Sequence, residues 1–293
     1  MRLAVTGGTG LVGTFLVEAA LAAGHDILVL SRTAPAPGFF SAPVAHQDYD
    51  LDRAPPRFDP VPDALIHAAF HHSPGRYRGG EGDDPQGFLR RNLHGSLAVF
   101  DAAKAAGVAR GLFVSSRAVY DGAPPGTALH EDRPCAPDSL YGQVKLQAEQ
   151  GLAALQDQAF APVSLRATGV YGPAAPGRAH KWTGLFADFL AGRPVAPRVA
   201  TEVHGADLAA AVLLLLGLPA PQVAGRVFNL SDLVLDRHDL LAEVARLTGC
   251  PHALPERADA ARVSVMATDR LQALGWRPGG RARLLATLPC LLA

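Results

Sequence analysis

The stretch Thr6-Gly7-Gly8-Thr9-Gly10-Leu11-Val12-Gly13 constrains this chain more than any other. It follows the short apolar strand Arg2 to Thr6 without a gap and leads into an amphipathic helix that runs to about Ala23 and stops at Gly24. A second apolar strand, Ile27 to Leu30, comes next. Gly7, Gly10 and Gly13 therefore fall at G-x-x-G-x-x-G spacing across a strand-to-helix turn. Glycines there allow a tight turn, and they let a pyrophosphate approach backbone N–H groups at the positive end of the helix, where Leu11 and Val12 stand. A lone glycine motif is weak, but strand before, helix after and strand again make this a nucleotide-binding unit.

The second strand ends Leu30-Ser31-Arg32-Thr33. A site built for NAD usually places a carboxylate here to hold the ribose 2′-OH. A carboxylate would repel a 2′-phosphate, whereas the Ser31 hydroxyl and the Arg32 guanidinium would hold one. NADP is therefore the expected cofactor, with NAD as the alternative. A weak strand leads to Asp50-Leu51, placed to meet the adenine. The buried strand Ala64-Leu65-Ile66-His67-Ala68-Ala69 ends in small residues, which leave room for a ligand against the backbone. His67 reads as a packed or hydrogen-bonded residue, not a catalyst. The segment from His71 to Asp84, carrying Arg76, Tyr77 and Arg78, reads as a flexible loop over the site. A helix is expected from Pro85 to Gly107, with Asn92 in its middle.

Gly111 to Ser116 forms the next strand and ends in two hydroxyls, Ser115 and Ser116, at the carboxyl edge where ligands of doubly wound sheets collect. An amphipathic run from Ser139 to Phe160 carries Tyr141-Gly142-Gln143-Val144-Lys145. On a helix Tyr141 and Lys145 share a face, and a cation beside a phenol favours the phenolate. That would make Tyr141 a proton donor and acceptor near neutral pH. Two further strands are expected at Val163 to Ala167 and Arg226 to Leu230. Alternating apolar strands and amphipathic helices predict an α/β fold, a doubly wound parallel Rossmann sheet with a smaller C-terminal substrate-binding lobe. The nucleotide-binding domain is assigned to residues 1–172, with 203–230 returning to it, and the lobe mainly to 173–293. Trp182, Phe186, Arg193 and Arg198 are pocket or lid candidates, the two aromatics equally readable as core.

Composition narrows the partners. Of the 293 residues 48% are hydrophobic and 18% charged, which describes a packed globular chain. Lys+Arg and Asp+Glu both number 27, and no basic stripe suggests nucleic acid. The cysteines, Cys135, Cys250 and Cys290, are odd in number and widely spaced, which fits a reducing cytoplasm and no metal site. The N-terminal apolar strand is cut at once by glycines and does not read as a signal peptide, and Ala209 to Leu218 is too short to span a bilayer. A small-molecule substrate, no nucleic acid and no membrane are expected.

Taken in order, TGGTGLVG, Asp50-Leu51, His67-Ala68-Ala69, Asn92, Ser115-Ser116-Arg117-Ala118-Val119-Tyr120, YGQVK and Arg166 to Tyr171-Gly172-Pro173 resemble the extended short-chain dehydrogenase/reductases, the NAD(P)-dependent epimerase/dehydratase group. The resemblance continues through Glu202-Val203-His204-Gly205-Ala206-Asp207-Leu208, Phe228-Asn229-Leu230 and Leu274-Gly275-Trp276-Arg277-Pro278, and so covers essentially the whole chain. It implies Tyr141 as acid/base, Lys145 as its tuner and as a ligand of the nicotinamide ribose, and Ser116 as hydrogen-bond partner of the reacting oxygen. It further implies that Ala68 and Ala69 line the cofactor groove. It also implies a homodimer paired through the helices at Pro85 to Gly107 and Ser139 to Phe160.

Two departures narrow that expectation. Arg117 and Ala118 stand where sugar dehydratases of this group carry an acidic pair, so dehydration is not expected. Ala200 stands where nucleotide-sugar enzymes often carry an arginine, with Arg198 near enough to substitute. Oxidoreductase and epimerase both remain open, as do a nucleotide-sugar epimerase, a small carbonyl reductase and a non-catalytic NAD(P)-binding sensor or scaffold.

Overall fold

The structure is a computed structural model and describes residues 1–72, 80–175 and 177–293. In chain order the strands are β1 (Arg2–Thr6), β2 (Asp26–Ser31), β3 (Ala45–Asp48), β4 (Ala64–His67), β5 (Arg110–Ser116) and β6 (Ala128–Leu129). They continue with β7 (Ala161–Ala167), β8 (Gly169–Tyr171), β9 (Val199–His204), β10 (Arg226–Leu230), β11 (Leu233–Asp236) and β12 (Val265–Met266). The helices are α1 (Leu11–Ala22), α2 (Pro85–Leu89), α3 (Gly95–Ala106), α4 (Leu140–Ala154) and α5 (Thr183–Leu190). After them come α6 (Gly205–Gly217), α7 (Ala220–Val223), α8 (Arg237–Thr248), α9 (Asp269–Ala273) and α10 (Gly280–Leu292).

Seven strands make one sheet in the order β10-β7-β5-β4-β1-β2-β3, every neighbouring pair parallel. The inner strands are apolar on both faces because helices cover both faces. Successive residues of β1 show it. Leu3 and Val5 join Leu16 and Val17 of α1 and Leu208 and Val212 of α6 on one side. Ala4 joins Val99 and Phe100 of α3 and Val144 and Leu152 of α4 on the other. Chain direction across the sheet reverses between β1 and β4, and a crevice opens at the carboxyl ends of strands at such a switch point.

A smaller core gathers Tyr171, Trp182, Phe186, Phe189, Leu240, Leu241 and Leu288 beside the three-stranded sheet β11-β9-β8. Trp182 and Phe186 are buried in it. The sequence reading assigned strands to none of these three segments. Pro85 to Gly107 is not one regular helix: a wider π-type turn, Arg90–His94, sits between α2 and α3. It carries the buried Asn92, whose amide accepts from the His71 N–H at 2.6 Å and donates to the His71 carbonyl at 2.8 Å. The helix expected to reach Phe160 ends at Ala154, and Asp157 then turns the chain by accepting from the N–H groups of Ala159 and Phe160.

α4 is tied to β7 by a buried ion pair. Arg166 donates to Glu149 through Nη2 at 2.7 Å and Nε at 3.0 Å, and its Nη1 donates to the Tyr120 hydroxyl. Removing one partner strands the other charge in the interior. Glu149→Ala is expected to lower unfolding free energy by about 3–5 kcal/mol. The pair Glu149→Leu with Arg166→Met is expected to recover most of that, measured by urea denaturation.

Candidate active site

β1 ends at Thr6, whose hydroxyl accepts from the N–H groups of Ala68 and Ala69, both at 3.2 Å. This draws the end of β4 against the glycine loop. Gly7 has φ +68°, and a Cβ there would lie 2.8 Å from Ala69 backbone atoms. A Cβ on Gly13 would overlap the Gly7 carbonyl oxygen, so the loop closes on α1 only with glycine there. Helix α1 starts at Gly10 with no side-chain cap and no acidic residue in its first turn. The N–H groups of Leu11, Val12 and Gly13 have no helical acceptors. An open, positive helix end beside small residues suits a pyrophosphate.

At the end of β2 the structure separates the two residues expected to meet a 2′-phosphate. Ser31 is buried and its hydroxyl donates to the Thr33 carbonyl at 2.9 Å, so its proton is engaged within its own turn. Arg32 is exposed. Asp50 accepts from the Asp52 N–H at 2.9 Å, and the Leu51 side chain packs into the core with Tyr49 and Phe58.

At the end of β5, the Ser115 hydroxyl is buried without a hydrogen-bond partner among the described residues. Ser116 accepts from the Ala118 N–H at 3.1 Å, which leaves its own proton for another acceptor. The turn after it, Arg117–Tyr120, supports α4: Gly142 sits so close that a Cβ would overlap the Ala118 carbonyl oxygen. Ser139 caps α4 by accepting from the Gly142 N–H at 3.2 Å. Tyr141 and Lys145 follow on one face, with the Lys145 ammonium 5.9 Å from the phenol ring centre. Lys145 is 4% exposed and donates to the Val114 carbonyl of β5 at 2.8 Å. Burial pushes its pKa down to about 7, opposed by the Glu149 charge. His67 is the packed residue the sequence suggested. Its ring nitrogens lie 2.7 Å from the Thr6 hydroxyl and 2.8 Å from the Ser96 hydroxyl, and burial lowers its pKa to about 3, keeping it neutral.

Sequence reasoning missed several residues around the crevice. Phe70 and Phe113 flank the Lys145 ammonium, and nothing in their spacing announces it. Lys181 and Glu202 form an ion pair beside a cavity of about 350 Å³ lined also by Trp182, Leu185, Arg198 and Arg237. Glu202 also feels the Arg198 charge, and Arg237 donates to the Ala196 carbonyl at 2.9 Å. Burial, then the Arg198 charge, lowers the Arg237 pKa. Arg193 instead pairs with Asp188 at the surface, 2.7 Å apart. Arg117 donates to the Ser264 carbonyl at 3.0 Å. Arg76, Tyr77 and Arg78 lie outside the described residues. No cluster of three metal-ligating side chains and no helix long and apolar enough to cross a membrane occurs among the described residues.

A glycine loop at the switch point of a seven-stranded parallel sheet covered by helices on both faces defines a Rossmann-like α/β fold. The chain belongs to the NAD dependent epimerase/dehydratase family, whose model matches residues 3–231. The UDP-glucose 4-epimerase of Mycolicibacterium smegmatis is 28% identical over 95% of this chain and 94% of its own. The dTDP-6-deoxy-L-talose 4-dehydrogenase (NAD(P)(+)) of Kitasatospora kifunensis is 32% identical over 64% of this chain and 57% of its own. Among solved structures, the Thermus thermophilus UDP-glucose 4-epimerase in complex with NAD superposes with a TM-score of 0.78 at 27% identity, covering 99% and 98% of the two chains.

Proposed function

We propose that this protein is an NAD(P)-dependent epimerase or oxidoreductase that acts on a hydroxyl-bearing carbon of a nucleotide sugar, with Tyr141 as acid/base. The observation that carries the proposal is Tyr141 and Lys145 on one face of α4, with the lysine anchored under the end of β5 where Ser116 stands. Relatives matched over nearly the full chain are UDP-glucose 4-epimerases, which supports the substrate class. The cavity's three cations, Lys181, Arg198 and Arg237, outnumber its carboxylates, Asp188 and Glu202, which supports an anionic substrate.

Gly7, Gly10 and Gly13, with the N–H groups at the start of α1, would hold the dinucleotide pyrophosphate, and Ala68 and Ala69 would leave room beside it. A dinucleotide bound there would supply reversible hydride transfer at the substrate carbon. Tyr141 takes the hydroxyl proton from that carbon's oxygen and gives it back as the hydride returns. Ser116, already accepting from Ala118, donates to the same oxygen and orients it. Lys145 sets the charge beneath the phenol and reaches toward the nicotinamide ribose. Tyr141 would re-protonate the same oxygen whichever face of the carbonyl carbon is reduced, so these residues would serve epimerisation and net oxidation or reduction alike. The experiment is incubation with UDP-glucose and NAD, followed by separation of the sugar products. Absence of any sugar conversion there and with dTDP-sugars would overturn the substrate class.

A second reading, a reductase using NADPH, is favoured by Arg32 and by the lack of a carboxylate at position 31. Arg32→Ala is expected to weaken NADPH binding about 10–100-fold and NADH binding only a few-fold, read by calorimetric titration. Equal losses would place the 2′-phosphate elsewhere. The side-by-side helices α3 and α4 are proposed as the face that meets a second copy, tested by light scattering.

A further inference from the structure

One aromatic side chain touches both members of the Tyr–Lys pair. The Phe70 ring centre lies 5.0 Å from that of Tyr141 with the planes at 87°, an edge-to-face contact. The Lys145 ammonium sits 4.6 Å from the Phe70 ring centre and 4.7 Å from that of Phe113. Phe88 holds Phe70 from behind at 5.5 Å, and Phe113 is fixed in β5, stacked on His67. The Val114 carbonyl is the one hydrogen-bond acceptor of Lys145 among the described residues, although an ammonium has three protons to place.

The charged and titratable groups around it do not make up the difference. Glu149, on α4, is engaged with Arg166. His67 of β4 is neutral by burial, and burial also lowers the pKa of His72, on the segment after β4. Tyr141 is itself the group to be tuned. What remains against the ammonium is two π faces, which attract a cation where water is excluded.

Resting on the function proposed above, we infer that Phe70 is a positioning residue for the reaction: its ring face, with that of Phe113, holds the Lys145 ammonium charged and in place, while its edge-to-face contact sets the plane of the Tyr141 ring. The residue follows the small pair Ala68-Ala69, so the same short segment opens the cofactor groove and steadies the acid/base pair.

The chain has three lysines, Lys104, Lys145 and Lys181, so protein labelled with [13Cε]lysine gives three resonances to follow against pH. Lys145 is assigned from Lys145→Met. Phe70→Leu keeps an apolar side chain of similar bulk but removes the π face, and it is expected to lower the Lys145 midpoint by about half to one pH unit. Phe70→Tyr is expected to keep the midpoint, with Lys104 and Lys181 unmoved in both variants as a check on the fold. An unchanged midpoint in Phe70→Leu, or a Phe70→Tyr that behaves like it, would show that the ring only fills space and would overturn the inference. This titration needs no substrate, so it fails separately from the enzymatic proposal. Normal turnover in Tyr141→Phe would overturn that proposal and leave the lysine midpoint where it is.

Discussion

Tyr141→Phe is expected to lower turnover by about 10²–10⁴-fold while dinucleotide affinity stays within a few-fold of the parent. The ring remains, so its contact with Phe70 and the packing of α4 on the Arg117–Tyr120 turn persist. Only the hydroxyl is lost, and with it the group that would take and return the substrate proton. The split between binding and turnover is the informative feature. A variant that binds NADH normally by fluorescence titration yet converts no UDP-glucose places Tyr141 at the chemical step. A variant that turns over normally removes it from the mechanism.

Gly13→Ala should affect the opposite quantity. Its methyl group would overlap the Gly7 carbonyl oxygen and lie 2.7 Å from the Gly8 Cα, both backbone atoms that cannot rotate away. The loop must shift, and the N–H groups at the start of α1 then no longer converge on one phosphate position. The expected result is a loss of at least about 100-fold in dinucleotide affinity, disappearance of the cofactor-induced rise in Tm, and about 1–3 kcal/mol of lost stability. Gly217→Ala, at the end of α6 where a Cβ meets nothing within 4 Å, is the matched control and should change none of these. Tight binding by Gly13→Ala would move the pyrophosphate away from this turn.

The glycine loop, the small residues after β4 and the Tyr–Lys spacing were legible because each depends on local backbone geometry. Gly13 is close to Gly7 in the chain, and Tyr141 and Lys145 share a helix face whatever surrounds them. The parallel sheet was legible for a related reason: strands buried on both faces leave continuous apolar runs. The small sheet was not, since β9 carries the buried polar residues Thr201, Glu202 and His204, whose partners Thr168, Lys181 and Thr287 come from three separate segments. The π-type turn was hidden because what surrounds it is tertiary, namely the His71 backbone that Asn92 holds. Ser31 shows the limit of matching a position to a role: its side chain type suits a phosphate, but its own turn engages the hydroxyl. The setting of Lys145 was likewise invisible, because Phe70 reaches it from the segment after β4 and Phe113 from within β5.

The place of β10 has a consequence for how the molecule is made. The chain leaves the main sheet at Ala167, builds β8, β9 and α6, and returns at Arg226 to cover the outer side of β7. Every residue of β7 is buried in the finished protein. On a ribosome adding about 5–20 residues per second, that apolar edge stays unpaired for several seconds before its covering strand emerges. A polypeptide released at residue 172 would keep the edge open permanently and stick to its own kind. The seven-stranded sheet and the smaller β11-β9-β8 sheet are thus laced through one another along the chain, so that cutting between them would sever one from its own last strand.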